Sequence, residues 1–356
     1  MKHTIPLMLA GAVLLSFASC SSDDENGPIA TTSNAIAFNV NVPRASRAAT
    51  TPTNTQSIEA FNVWGFVDGN TFMENVSVTG GQGNWSYNPV MYWPADEQKV
   101  NFYGVSPLIS TAIEPDGNNY SINEFNNGGT TDLLYSVNIG ESRTGSNPAP
   151  VNVNFRHALS QVRVAMQREY FENPQNQLRV EVTGVDLLQT YSVASFNYPK
   201  ETTSLNTPTP GSVGTWHDQT ALKDFTLYNG KAVTLKDDAE EANSTGFAFA
   251  IPQVLPESTQ GQDSYNGAYI RVKCAIYSQL AGVKLWPSTS TPGYDESSGQ
   301  AYLYFPIKSA NATVGEWEPG KAYVYTITIG VPSGTGQIGF DVTVDEYKDF
   351  SQSIID

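Results

Sequence analysis

Few residues in this chain are spaced for catalysis. Of three histidines, His3 lies in the leader-like start, and His157 and His217 have no Cys, Asp or Glu at a recognisable metal-ligand spacing. His157 follows a strand-like run and reads as a hydrogen-bonded structural residue rather than a base. The carboxylate pairs Asp237-Asp238 and Glu240-Glu241 sit among polar residues, as in a solvated loop. Carboxylates that cleave a glycosidic bond must converge in space, which spacing along a chain does not establish. Asp116-Gly117-Asn118 is a turn signal with too few oxygen ligands around it for calcium. There is no nucleophile elbow, phosphate-binding loop or dinucleotide fingerprint. The reading is therefore no enzyme, no catalytic residue, no metal and no cofactor. Trp85, Tyr87, Tyr92 and Trp93 are the main candidates for ligand contact, since exposed rings stack on sugar faces. Aromatics at alternating positions more often fill a core or pair across strands.

The two cysteines have separate fates. Lys2 and His3 precede an apolar run over residues 5–17, shorter than the about 20 residues that span a bilayer but suited to a secretory signal. The run ends in Phe17-Ala18-Ser19-Cys20, which resembles the lipobox of bacterial lipoproteins, with Phe17 where Leu is usual. That resemblance makes Cys20 the lipidated residue; the alternative is an ordinary signal peptide with a nearby cysteine. With Cys20 so used, Cys274 has no partner for an internal disulfide. Its strand-like surroundings, Ile270-Arg271-Val272-Lys273-Cys274-Ala275-Ile276, predict a buried apolar role. Ser21-Ser22-Asp23-Asp24-Glu25 opens a polar tether. It also resembles the surface-export signal of lipoproteins in Bacteroidetes, which implies the outer face of the outer membrane.

Composition says what must position these residues. Hydrophobic residues make up 40% and charged residues 15% of 356 residues, against a charged share of about 25% in ordinary domains. Such a chain has a large core to bury and few solvated helices. Aromatics at 11%, with 29 Gly and 21 Pro, suit strands and turns. A net charge of −16 repels phosphate backbones, so no nucleic-acid partner is expected.

Period-two alternation runs through the body. It marks Phe61-Asn62-Val63-Trp64-Gly65-Phe66, Lys99-Val100-Asn101-Phe102-Tyr103 and Val151-Asn152-Val153-Asn154-Phe155. It returns in Gln161-Val162-Arg163-Val164-Ala165-Met166, Leu178-Arg179-Val180-Glu181-Val182 and Tyr323-Val324-Tyr325-Thr326-Ile327-Thr328-Ile329. Turn-rich stretches such as residues 79–84 and 142–150 separate the runs. This predicts an all-β protein of β-sandwich type. The length suits two domains of about 150 residues. The division is 1–19 signal peptide, 20–34 tether, 35–157 N-terminal β-sandwich and 158–356 C-terminal β-sandwich. Tyr-rich strand ends in both halves hint at a repeated architecture.

Several words in the chain resemble the fimbrillin family of Bacteroidetes. They are Val90-Met91-Tyr92-Trp93-Pro94 followed by Val100-Asn101-Phe102-Tyr103-Gly104-Val105-Ser106-Pro107, and Asp132-Leu133-Leu134-Tyr135 ahead of Val151 to Ser160. Phe247-Ala248-Phe249-Ala250-Ile251-Pro252-Gln253 and Trp317-Glu318-Pro319-Gly320-Lys321-Ala322-Tyr323 continue the pattern. The resemblance implies two tandem transthyretin-like β-sandwich domains and a subunit of surface fimbriae that contributes to adhesion. Its implied partners are other fimbrial subunits, the outer membrane through lipidated Cys20, and a host or microbial surface ligand. It further implies that an arginine-specific protease removes the N-terminal strand, leaving a groove for a strand of the next subunit. Arg44 and Arg47 match that cut, in the loop-like Val42-Pro43-Arg44-Ala45-Ser46-Arg47-Ala48; as bare residues they are equally two surface arginines of a linker. The alternative function is a permanently lipid-anchored glycan-binding protein or a fimbrial basal anchor.

One internal likeness bears on assembly. The replaceable strand presents Ile36, Phe38, Val40 and Val42 on one face, and residues 338–344 present Ile338, Phe340, Val342 and Val344 at the same spacing. A groove built for the first fits the second, since alternate residues enter it. Any sandwich strand carries such alternation, and the pattern favours residues 338–344 simply closing their own domain. Donation to a second copy is the alternative.

Overall fold

The computed structural model describes residues 34–41, 58–81, 83–95, 98–111, 113–116, 119–204, 209–238, 246–260, 264–308, 314–332 and, as backbone, 340–346. The first strands are β1 (Phe38–Asn41), β2 (Ala60–Val67), β3 (Asn70–Gly81), β4 (Asn84–Ser86), β5 (Val100–Ser106), β6 (Ile113–Asp116) and β7 (Asn119–Asn126). Then come β8 (Leu134–Glu141), β9 (Val151–Asn154), β10 (Arg156–His157), β11 (Ser160–Arg168), β12 (Leu178–Asn197), β13 (Thr215–Thr234) and β14 (Phe247–Ala250). The last are β15 (Thr259–Gln260), β16 (Tyr265–Asn266), β17 (Tyr269–Ser278), β18 (Lys284–Trp286), β19 (Ala301–Pro306), β20 (Lys321–Ile329) and β21 (Phe340–Glu346). Among the described residues there is no α-helix, only two short 3-10 turns, so the all-β expectation holds. The alternating segments of the sequence all fall in strands, because period-two burial needs no tertiary information to be read.

The strands form a six-stranded sheet ordered β10-β8-β5-β2-β3-β4 and a parallel pair β1-β9. A second set comprises a four-stranded sheet β14-β11-β20-β21 and a seven-stranded sheet β18-β17-β12-β7-β6 with β13 on β12 and β19 on β17. At the turn-rich stretch 79–84, β3 continues to Gly81 and pairs antiparallel with β4, Thr79 opposite Ser86. Gly80 is required there, since a Cβ at its φ of +149° would lie 2.0 Å from the Asn84 carbonyl oxygen.

Three apolar clusters hold the sheets together. One gathers Val162, Val164 and Met166 of β11, Val180, Val182 and Leu187 of β12, Ile270, Val272, Cys274 and Ile276 of β17, and Tyr323, Tyr325 and Ile327 of β20. Cys274 lies fully buried in it, and that burial raises its thiol pKa far above the usual range, as suits an inert core residue. A second cluster joins Ile36, Phe38, Val151 and Val153 to Phe61, Val63, Met73, Val78 and Phe102 of the six-stranded sheet. The third draws on both sides of residue 157, with Trp64, Phe66, Tyr103 and Tyr135 against Phe196, Tyr198, Phe249 and Ile251. Strand β7 accompanies this crossing by pairing Ser121–Asn126 with the end of β12.

The two sets of strands repeat one arrangement. β1 runs parallel to β9, and β11 runs parallel to β20. β14 lies antiparallel beside β11, just as Tyr92 bridges Ala35 antiparallel beside the start of β1. They differ on the far edge. β20 carries β21 there, whereas the corresponding edge of β9 is capped by side chains, Asn138 Nδ2 donating to the Asn152 carbonyl (3.0 Å) and Thr203 Oγ1 to the Asn154 carbonyl (2.7 Å).

Candidate assembly site at the N-terminal strand

The segment 34–41 lies across the open side of the six-stranded sheet. Alternation sends Ile36, fully buried, and Phe38, 5% exposed, into the second cluster, with half-buried Val40 packed against it. The Phe38 ring meets Phe61 edge-on at 5.9 Å, Phe102 edge-on at 5.6 Å and Tyr87 at 5.7 Å. Such edge-to-face contacts add to the free energy of burying the ring itself.

The main chain is held on two sides. β9 pairs Phe38 with Val151 through Asn41 with Asn154, the Val151 amide donating to the Ala37 carbonyl at 2.8 Å and the Phe155 amide to the Asn41 carbonyl at 3.0 Å. On the other side the Ile36 amide donates to the Met91 carbonyl at 2.9 Å and the Trp93 amide to the Asn34 carbonyl at 3.0 Å. Tyr87 Oη donates to the Ile36 carbonyl at 2.7 Å, and its burial pushes the phenol pKa up to about 12. Asn39 and Asn41 point to the other face, where Asn39 Nδ2 donates to Asn152 Oδ1 at 2.8 Å and Asn41 Nδ2 to Asn154 Oδ1 at 3.2 Å.

Of the residues singled out from sequence, Ile36, Phe38 and Val40 converge on this seat. Cys20, Val42, Arg44, Arg47 and Ile338 lie outside the described residues. Phe340, Val342 and Val344 pair with Ile327, Tyr325 and Tyr323 on the edge of β20 in the same chain. The aromatic candidates divide: Trp85, Tyr87 and Trp93 are buried in the second cluster, while Tyr92 is 51% exposed. Most of that group is thus core and offers no stacking platform. The amide ladder and the Tyr87 hydroxyl are not legible from alternation alone. The matching words Phe38-Asn39-Val40-Asn41 and Val151-Asn152-Val153-Asn154 carry the ladder's signal, legible once their pairing is known.

The histidines take structural places. His157 Nδ1 lies 2.5 Å from Asp132 Oδ2, and Asp132 Oδ1 accepts from the Leu133 amide at 2.8 Å, pinning β10 to the segment before β8. His217 contacts the neighbouring Asp218 at 3.0 Å. Asp237 is ion-paired with Arg168 at 2.5 Å, which lowers its pKa; Glu240 and Glu241 lie outside the described residues.

The fimbrillin-like family matches residues 46–346 of this chain. A curated relative, fimbrium subunit Fim1C of Phocaeicola vulgatus, is 22% identical over 317 residues, covering 78% of this chain and 83% of its own length. The crystal structure of a fimbrial protein from Bacteroides vulgatus superposes with a TM-score of 0.52 at 14% identity, covering 88% of this chain and all of the other. The last is a likeness of fold. The match to the family extends over most of the chain, and the chain belongs to the fimbrillin-like family.

Proposed function

We propose that this chain is a structural or accessory subunit of surface fimbriae, exported as a lipoprotein on Cys20 and assembled by strand exchange. Cleavage after Arg44 or Arg47 frees the segment containing β1, and residues 338–344 of a second copy take its place. The observation that carries this reading is the construction of the seat. The segment 34–41 is a short plug that enters the core through Ile36 and Phe38, with half-buried Val40 beside them; full burial of such a side chain stabilises by about 1.5–3 kcal/mol. Taking it away opens a groove of fixed shape beside a β9 strand whose other edge is already capped. An open apolar groove with unpaired main chain on both sides, β9 on one and Met91 and Trp93 on the other, invites an incoming strand. β21 suits the donor role because it is an edge strand, held by the single ladder to β20. Closing its own sheet before assembly and leaving it afterwards are successive states of the same strand. The relationship to a fimbrium subunit supports the same reading, and adhesion to a surface ligand follows as the task of the assembled fibre.

The test is the N-terminus of the protein recovered from the cell surface, read by mass spectrometry. Polymerised chains are expected to begin at Ala45 or Ala48. Polymers whose chains still begin at lipidated Cys20 would overturn strand removal and leave a permanently anchored protein.

A further inference from the structure

The seat of β1 reads more than the apolar face of its occupant. Asn154 makes two bonds there: Nδ2 donates to the Thr203 carbonyl at 2.9 Å, and Oδ1 accepts from Asn41 Nδ2 at 3.2 Å. A backbone carbonyl only accepts, so the Thr203 contact fixes which end of the Asn154 amide faces the strand. Thr203 is itself held, its amide donating to the Val137 carbonyl at 2.9 Å and its hydroxyl to the Asn154 carbonyl at 2.7 Å. Asn154 therefore presents an oriented acceptor to the residue opposite. Among the described residues Asn152 has no such anchor, its side chain bonding to Asn39 on the exposed face, and it accommodates a donor or an acceptor.

Residues 338–344, laid in the place of 36–42, put Asp341 opposite Asn152 and Thr343 opposite Asn154. The threonine hydroxyl donates to the fixed acceptor as Asn41 does, and the Asn152 amide turns to donate to the carboxylate. The apolar pattern alone leaves the register loose, because a slip of two residues still points alternate side chains inward. The polar face removes that freedom. A slip in one direction sets Asp341 against Asn154, and a slip in the other sets Asp345 there, so that a carboxylate meets an acceptor with no proton between them.

We propose that Asn154, oriented by Thr203, is the register-determining residue of the strand-exchange groove, accepting Thr343 of a second copy and rejecting slipped registers through Asp341 and Asp345. The proposal rests on the strand-exchange reading and adds to it a specificity device on the outward face of the groove.

Paired cysteines in the full-length chain, cleaved after the arginines and polymerised under mild oxidation, test it. Asn152→Cys with Asp341→Cys reports the proposed register. Asn152→Cys with Gly339→Cys, or with Thr343→Cys, reports the two slips. An intermolecular disulfide, mapped by mass spectrometry, is expected in the first pair, with about tenfold less in either slipped pair, the penalty of setting a carboxylate against the half-buried Asn154 acceptor. Adding Asn154→Ala to each pair should raise the slipped products. Asp345→Ser, which leaves the acceptor groove untouched, should raise the Asn152 to Thr343 product alone. Equal yields in all three pairs, or yields indifferent to both substitutions, overturn the register role while strand exchange stands. Absence of any polymer and of any intermolecular disulfide after cleavage overturns strand exchange, and the register role with it.

Discussion

Phe38 shows how one residue defines the seat. Its ring is the only aromatic in the segment 34–41, and it touches three rings from three separate stretches of chain, Phe61, Tyr87 and Phe102. Those neighbours are themselves buried, Phe61 in β2, Phe102 in β5 and Tyr87 just after β4, so truncation leaves a void among close-packed side chains. Phe38→Ala is expected to cost about 3–5 kcal/mol of stability in the uncleaved chain, read as a lower midpoint in urea denaturation. The same substitution should be silent in polymers assembled from cleaved chains, where the segment is gone. A loss below about 1 kcal/mol before cleavage, the range of ordinary surface substitutions, would mean that β1 is not integral to the core. Asn39 and Asn41 behave differently. They lie on the more exposed side, so the bonds from their amides to Asn152 and Asn154 add less to stability than the burial of Phe38 does.

At the scale of elements, what separates β1 from β21 is the core left behind when each is removed. Each is an outlying strand on a parallel-paired partner or its neighbour, but β21 sits at the edge of a four-stranded sheet whose other members already pack against a full core. Deleting residues 337–356 is therefore expected to leave a folded chain, cooperative in thermal unfolding, that fails to polymerise after cleavage. A chain that no longer folds would make β21 a structural closure alone. The sequence made the strands legible where burial alternates, as in β9, β11, β17 and β20, and it placed Ile36, Phe38 and Val40 on one inward face. It did not reveal the continuation of β12 through residues 183–197, because four irregularities against β13 and a left-handed Gln189 break the alternation. Nor did it reveal that β1 pairs with β9, since the two are separated by more than a hundred residues and only tertiary packing selects the partner.

At the scale of the whole molecule, cohesion rests on aromatic mass, and much of it is phenolic. Tyr87 and Tyr323 have pKa values raised by burial to about 12, and burial also raises those of Tyr103, Tyr135, Tyr198 and Tyr325. These residues are distributed over all three apolar clusters. Ionising one places a phenolate where few dipoles stand in for water. An unfolded tyrosine loses its proton near pH 10, so between that value and the folded pKa the unfolded chain binds fewer protons than the native one. Stability is then complete below about pH 10 and falls as pH rises towards about 12. Urea midpoints should hold steady up to about pH 9 and drop steeply by about pH 11, with a shallower drop in a Tyr87→Phe, Tyr323→Phe double variant. A profile flat through that interval would mean that the phenols reach water in the native state. Under the strand exchange proposed above, the groove around Tyr87 is filled in the assembled fibre by a strand of a second copy. Resistance of the fibre to the same alkaline range then depends on how well that strand excludes water from Tyr87.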